Sequence, residues 1–229
     1  MNGVITFLDI LGWKGIYNRD ENPIAKLKEL YQDINLKMAD ENRRRGRRMT
    51  YGARSVSDTI ILFTRLEEEA SEEDVSNALL DQGKVCATGI VQSIVSGIPL
   101  RGATAYGNFE FDDKKNIYVG KTVDEAAMWY ETGDWIGVHL TPSAMFAIEP
   151  EDLSPSWMPY FLPTTQKVRL ETLCVNWLDT WKHSINDDER LRQLRQLFLQ
   201  MGPIVPSLSG KFTNTLAFLR KLNEAMAGT

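Results

Sequence analysis

Two aspartates stand where a sequence of this kind could do chemistry. Asp9 closes the apolar, β-rich run Val4 to Ile10 and is followed by Leu11-Gly12-Trp13-Lys14-Gly15, where glycines let the chain turn sharply. Asp58 sits in Ser57-Asp58, between the strand-like pieces Tyr51 to Val56 and Thr59 to Phe63, at the tip of an expected tight hairpin. If the first strand lies beside that hairpin, as consecutive elements often do, the two carboxylates converge on one sheet edge. Paired carboxylates suit Mg²⁺ or Mn²⁺, hard cations that take oxygen ligands and bind substrate phosphates as well. Taken singly, either aspartate also serves as an ordinary strand end or turn residue.

The elements that must position these groups follow from patterning. Pro23 opens a helix on which Ile24, Leu27, Leu30, Tyr31, Ile34 and Met38 recur at helical spacing, up to the polar run ADENRRRGRR. A second helix spans about Val75 to Ser96 and stops at Gly97-Ile98-Pro99. Leu100 to Phe111 reads as a strand or hairpin arm, Ile117 to Val119 as a short strand, Thr122 to Glu131 as a helix and Trp135 to Leu140 as a strand. The order β-α-β-β-α-β-β-α-β predicts an α+β sandwich with a mostly antiparallel sheet and helices on one face. From Pro142 the pattern is harder to read. It holds the proline-rich EPEDLSPSWMPYFLP, a strand-like KVRLETLCVNW, and helical stretches over 187–201 and 213–226. We expect one domain over 1–182 and a helical C-terminal extension, 183–229, packed on it.

Composition bounds the partners. The 229 residues carry a formal charge of −5 and are 43% hydrophobic, which allows a sizeable core and gives no general basic field for nucleic acid or an anionic membrane. The cluster Arg43, Arg44, Arg45, Arg47 and Arg48 lacks interleaved aromatics and reads as a solvated helix-to-strand loop. Cys86 and Cys174 lie in apolar runs and read as core residues in a reducing compartment; His139 and His183 share no motif. No leader-like or membrane-spanning stretch is evident, so a soluble cytoplasmic protein without membrane partner is expected.

Together the motifs resemble a known family. FLDILGWKG is similar to the F-x-D-I-x-G-F signature of class III adenylate and guanylate cyclases, and RSVSDTIILF to their second metal-aspartate hairpin. RGATAYGNF is similar to the strand after the family's central helix, and YVGKTVDEAAMWYETG to W-G-x-x-V-N-x-A-x-R. The resemblance covers residues 4 to 133 and implies a class III cyclase-like, ferredoxin-type sandwich. It also implies two divalent ions, Mn²⁺ or Mg²⁺, held by Asp9, Asp58 and the carbonyl of Ile10. The implied reaction joins a ribose 3′-hydroxyl to the α-phosphate with loss of pyrophosphate, in a homodimer whose active sites are shared between protomers.

The departures from the family are informative. Its adenine-reading lysine is matched by Arg54, and the aspartate that partners it falls at Ile117, which cannot accept a proton from an exocyclic amine. Arg54 suits ring carbonyls, and Tyr51 could add a contact to the base. In this the chain resembles the pyrimidine cyclases of the bacterial Pycsar antiphage system, which make cyclic UMP or cyclic CMP. UTP is the expected substrate and antiviral second-messenger synthesis the expected role; a cytidylate cyclase, or an inactive nucleotide-binding or dimerisation module, is the alternative. The family's ribose-orienting Asn and transition-state Arg fall at Asp124 and Met128, and Met128 carries no charge. Arg101, Lys121, Lys167 and Arg169 could supply one. Lys167 is preferred, since family members place a phosphate-binding lysine near their last hairpin.

Overall fold

The computed structural model describes residues 1–18, 20–45, 49–112, 115, 117–178, 180–181, 187–201 and 206–227. Seven strands form one mixed sheet. In chain order they are β1 (Asn2–Ile10), β2 (Met49–Val56), β3 (Thr59–Leu66), β4 (Leu100–Asn108), β7 (Gly137–Leu140), β8 (Trp157–Pro163) and β9 (Arg169–Val175). Across the sheet they run β2-β3-β1-β4-β7-β9-β8. Every pairing is antiparallel except β4 with β7. A separate hairpin joins β5 (Glu110–Asp112) to β6 (Ile117–Val119).

The alternation of β1 decides what lies where. Val4, Leu8 and Ile10 enter the main core with Leu30, Ile34 and Met38 of α1 (Pro23–Arg45) and Val75, Leu79, Cys86 and Ile90 of α2 (Glu72–Val95). Ile5 and Phe7 point to the other face, into a smaller cluster with Ile61, Phe63, Ala105, and Val123 and Ala126 of α3 (Lys121–Trp129). By the same alternation Asp9 shares this second face. Helices therefore cover both faces, not one as expected. The apolar stripe of α3 is only a few residues long, enough to seal a small patch over β1 and β4.

The first helix also runs further than its apolar pattern, through Arg45. Ion pairs replace apolar contacts there: Lys37 and Arg44 meet the buried Glu41, and Arg45 reaches Asp81 on α2 at 2.6 Å. The arginine cluster is helical up to Arg45, and Arg47 and Arg48 lie outside the described residues. The second helix starts at a capping box, Ser71 receiving the amide of Asp74 while the Asp74 carboxylate accepts from the Ser71 amide.

The proline-rich segment hides an edge strand, β8. Pro159 is tolerated there because an edge strand leaves one side of its backbone unpaired. Two further helices, α5 (Asp187–Gln200) and α6 (Pro206–Ala227), follow β9, and a single turn, α4 (Pro142–Met145), follows β7. The last helix docks by Phe218, edge-on to Trp135 at 4.7 Å and to Tyr160 at 4.8 Å, and by Asn214, which donates to the carbonyl of Asp134. Trp177 is fully buried in the same cluster. Cys86 and Cys174 are buried and unpaired, as core residues; His139 is buried on β7, and His183 lies outside the described residues. Among the described residues no helix is long and apolar enough to cross a membrane.

Candidate active site

Asp9 ends β1 between two neighbours, opposite Thr59 of β3 and Arg101 of β4. The β2–β3 turn consists of Ser57 and Asp58, with Ser57 in the left-handed region at φ 57°, an uncommon conformation for a residue with a β-carbon. The amide of Ile10 donates to the carbonyl of Asp58 at 3.1 Å, which ties the turn to the residue after Asp9. Main-chain geometry thus places the two aspartates side by side. Asp9 registers the result electrostatically: burial raises its pKa, the charge and hydrogen bond of Arg101 oppose the rise, and Asp58 and Glu131 add to it as like charges.

Arg101 fills the space beside Asp9. Its Nε donates to Asp9 Oδ2 at 3.1 Å, its Nη2 to Glu131 Oε1 at 2.9 Å and its Nη1 to the Glu131 carbonyl at 3.2 Å. Next to Glu131, Tyr130 stacks on Phe7 with ring centroids 6.3 Å apart, and burial together with the charges of Glu131 and Asp9 raises its phenol pKa. Nothing in the spacing of the sequence links Asp9, Arg101 and Glu131. Only the register of β1 with β4, and the return of the chain after α3, brings them together.

The donor set fits a divalent cation. Two adjacent carboxylates, one of them partly desolvated, are flanked by the carbonyl of Ile10, which accepts a long bond of 3.4 Å from the Trp13 amide. Among the described residues no three His, Cys, Asp or Glu side chains form a complete cage. A divalent ion held there would need substrate phosphates and water to complete its coordination, as Mg²⁺ commonly does.

Tyr51 and Arg54, expected together at the base, are separated. Tyr51 is buried on the main-core face of β2 and donates from its hydroxyl to Asp81 Oδ2 at 2.8 Å; burial and the Asp81 carboxylate raise its pKa. Arg54, an odd number of residues further along the strand, lies on the opposite face, the one Asp9 shares. A base on that face cannot touch Tyr51, so the base-contact expectation for Tyr51 is corrected to a place in a buried hydrogen-bond network. Lys167 occupies the β8–β9 turn at φ 64° and is exposed. Its hairpin rests on the segment after Glu131, with the Thr165 amide donating to the Thr132 carbonyl at 2.9 Å. Met128 is 70% exposed on α3, and Ile117 is 46% exposed on β6.

The chain's architecture matches several solved structures. The guanylate cyclase domain of RhGC from Catenaria anguillulae, in complex with GTP, superposes with a TM-score of 0.52 at 15% identity, over 76% of this chain and 96% of that one. The fold is that of the class III nucleotidyl cyclases. Two forms of the guanylyl cyclase domain of the RhoGC fusion protein from the aquatic fungus Blastocladiella emersonii, one dimeric and one monomeric, each give a TM-score of 0.54 at 15% and 14% identity. Each covers 76% of this chain and at least 94% of its own. No family model and no curated protein matches the sequence. At such identity the cyclase likeness is one of fold, and the activity must be argued from the side chains.

Proposed function

We propose that this chain is a nucleotidyl cyclase that converts UTP to 3′,5′-cyclic UMP and pyrophosphate. The observation that carries the reading is the pairing of Asp9 with Asp58 at the end of β1, fixed by the Ile10–Asp58 main-chain bond, on a cyclase fold. Asp9, Asp58 and the Ile10 carbonyl would hold the two divalent ions. Bound there, such ions supply a lowered pKa for the ribose 3′-hydroxyl and neutralise charge on the departing pyrophosphate. The chain's own contribution is orientation. The turn at Ser57 fixes Asp58, and the β1–β4 register keeps Arg101, a permanent cation, beside the phosphate region. Arg101 thereby supports the charge that Met128 cannot provide, and Lys167 on its exposed hairpin is a second phosphate contact.

Base choice rests on Arg54. It lies on the same sheet face as Asp9 and offers a planar set of donors suited to uracil carbonyls, whereas Ile117 offers no acceptor for an adenine amine. Val56 and Met128 are exposed, at 49% and 70%, as apolar residues that a second protomer would cover. We therefore assign the working form to a homodimer with shared sites, the cyclase domain to 1–182 and the extension to 183–229. Synthesis of a pyrimidine second messenger in bacterial antiphage defence is the matching biological role.

One observation favours a second reading. The exposed Met128, where a charged residue would face the phosphates, suits a catalytically inactive domain that binds a nucleotide. Supplying each of the four ribonucleoside triphosphates singly with Mn²⁺ and resolving the products chromatographically decides between them. Cyclic UMP from UTP is expected. Cyclic CMP as the main product would move the substrate to CTP, and nucleotide binding without any cyclic product would establish the inactive module.

A further inference from the structure

Glu131 accepts two of the three hydrogen bonds that Arg101 makes among the described residues. The Arg101 side chain is 11% exposed, and its guanidinium is planar with five N–H groups. One meets Asp9, two meet Glu131 through its carboxylate and its carbonyl, and two have no hydrogen-bond partner among the described residues. Two carboxylates, Asp9 and Glu131, bind this one cation, and Asp58 lies near enough to Asp9 to act on it as a like charge. The local excess of negative charge would favour a divalent ion, and Arg101 would compete with that ion for the Asp9 carboxylate. An arginine held by Asp9 alone would either resist the ion or leave the site when the ion arrived.

We propose that Glu131 is a positioning residue that anchors Arg101 by its Nη edge, so that a divalent cation can take over Asp9 while the guanidinium stays in place with N–H groups to spare for a phosphate. The inference rests on the cyclase reading. Loss of the single Nε bond leaves the two Glu131 bonds intact, and charge-assisted bonds of this kind are the stronger class. Glu131 can hold this place because it follows α3 directly and its own side chain is 62% exposed, so it gives up little solvation in forming the pair.

A double-substitution cycle tests this, with Mn²⁺ binding to the whole 229-residue chain, free of nucleotide, measured by titration calorimetry. Arg101→Ala is expected to tighten Mn²⁺ binding at the Asp9 site, because a competitor is gone. Glu131→Ala is expected to weaken it by about fivefold or more in the presence of Arg101. In the Arg101→Ala background that weakening should largely disappear, and Glu131→Gln, whose amide oxygen still accepts from Arg101, should retain part of the wild-type affinity. Equal weakening in both backgrounds would mean that Glu131 acts only as a nearby charge and would overturn the proposal. Turnover separates the two levels: cyclic product and Asp9-dependent Mn²⁺ binding with additive substitutions overturn this inference alone, whereas no Asp9-dependent Mn²⁺ binding in the wild type overturns the cyclase reading with it.

Discussion

Tyr51 and Arg54 stand on opposite faces of β2, so the strand that carries Arg54 on the Asp9 face anchors itself through a tyrosine on its other side. The anchor is extensive. Asn42 of α1 exchanges two hydrogen bonds with the backbone of Tyr51, and Asp81 accepts from Tyr51, Arg45 and Lys84. An edge strand depends on such ties because only one neighbour pairs with it.

Tyr51→Phe therefore lowers stability and not nucleotide choice. Removing one hydrogen bond to a buried carboxylate that keeps two cationic donors costs about 1–2 kcal/mol. Urea unfolding should show the loss, while the ratio of UTP to CTP turnover stays unchanged. A changed ratio would return Tyr51 to the base.

Arg54→Ala has the converse signature. Stability should change by less than about 0.5 kcal/mol, as for other partly exposed positions, while turnover of UTP falls about tenfold or more. If the sites are shared, mixing Arg54→Ala chains with Asp58→Ala chains restores activity through heterodimers. No recovery, despite demonstrated subunit exchange, would count against the shared site.

Acid sensitivity should come partly from His139. Burial lowers its pKa from the ordinary value to about 4, against a smaller opposing effect of the Gly102 backbone. The unfolded chain then binds the extra proton between about pH 6.5 and pH 4, so stability is full above that window and falls as pH drops through it. The loss is about 3 kcal/mol across the window. His139→Leu should flatten this limb of a stability-against-pH curve. Asp81 acts lower: the hydrogen bonds of Arg45, Lys84 and Tyr51 outweigh its burial and depress its pKa. Its contribution persists at neutral pH and fades only below the ordinary carboxylate range, as the difference between wild type and Asp81→Asn should show.

Divalent cations should stabilise the folded chain. At about a hundredfold excess over its dissociation constant, Mn²⁺ adds roughly 2.7 kcal/mol, or about 5–10 °C in Tm for a chain of this size. Asp9→Asn should abolish that gain. It should not by itself destabilise the metal-free protein at neutral pH, because burial and like charges already disfavour the ionised Asp9. Differential scanning calorimetry with and without Mn²⁺ measures both.

The sequence carried the first half of the chain well because its signals are local there. Apolar alternation set β1, Ser57-Asp58 set the hairpin and Gly97 the end of α2. The placement of Asp9 and Asp58 at strand ends was legible for the same reason, each lying beside its own turn. The face that Tyr51 occupies was missed because its hydroxyl is satisfied by Asp81, thirty residues away on α2. Glu131 was missed because its partner Arg101 lies on a strand thirty residues earlier. The edge strand β8 was hidden by prolines that only an edge position permits, and the end of α1 by ion pairs that hydrophobic periodicity does not report.

The most direct measurement is product formation from an equimolar mixture of the four ribonucleoside triphosphates with Mn²⁺, resolved by mass spectrometry, for the wild-type chain and a folded Asp58→Ala variant. Cyclisation at Asp9 and Asp58 predicts cyclic UMP as the dominant product of the wild type, reduced about a hundredfold or more in the variant, the scale expected when a group stabilising transition-state charge is lost. Absence of any cyclic nucleotide, or cyclic product undiminished without Asp58, would contradict it.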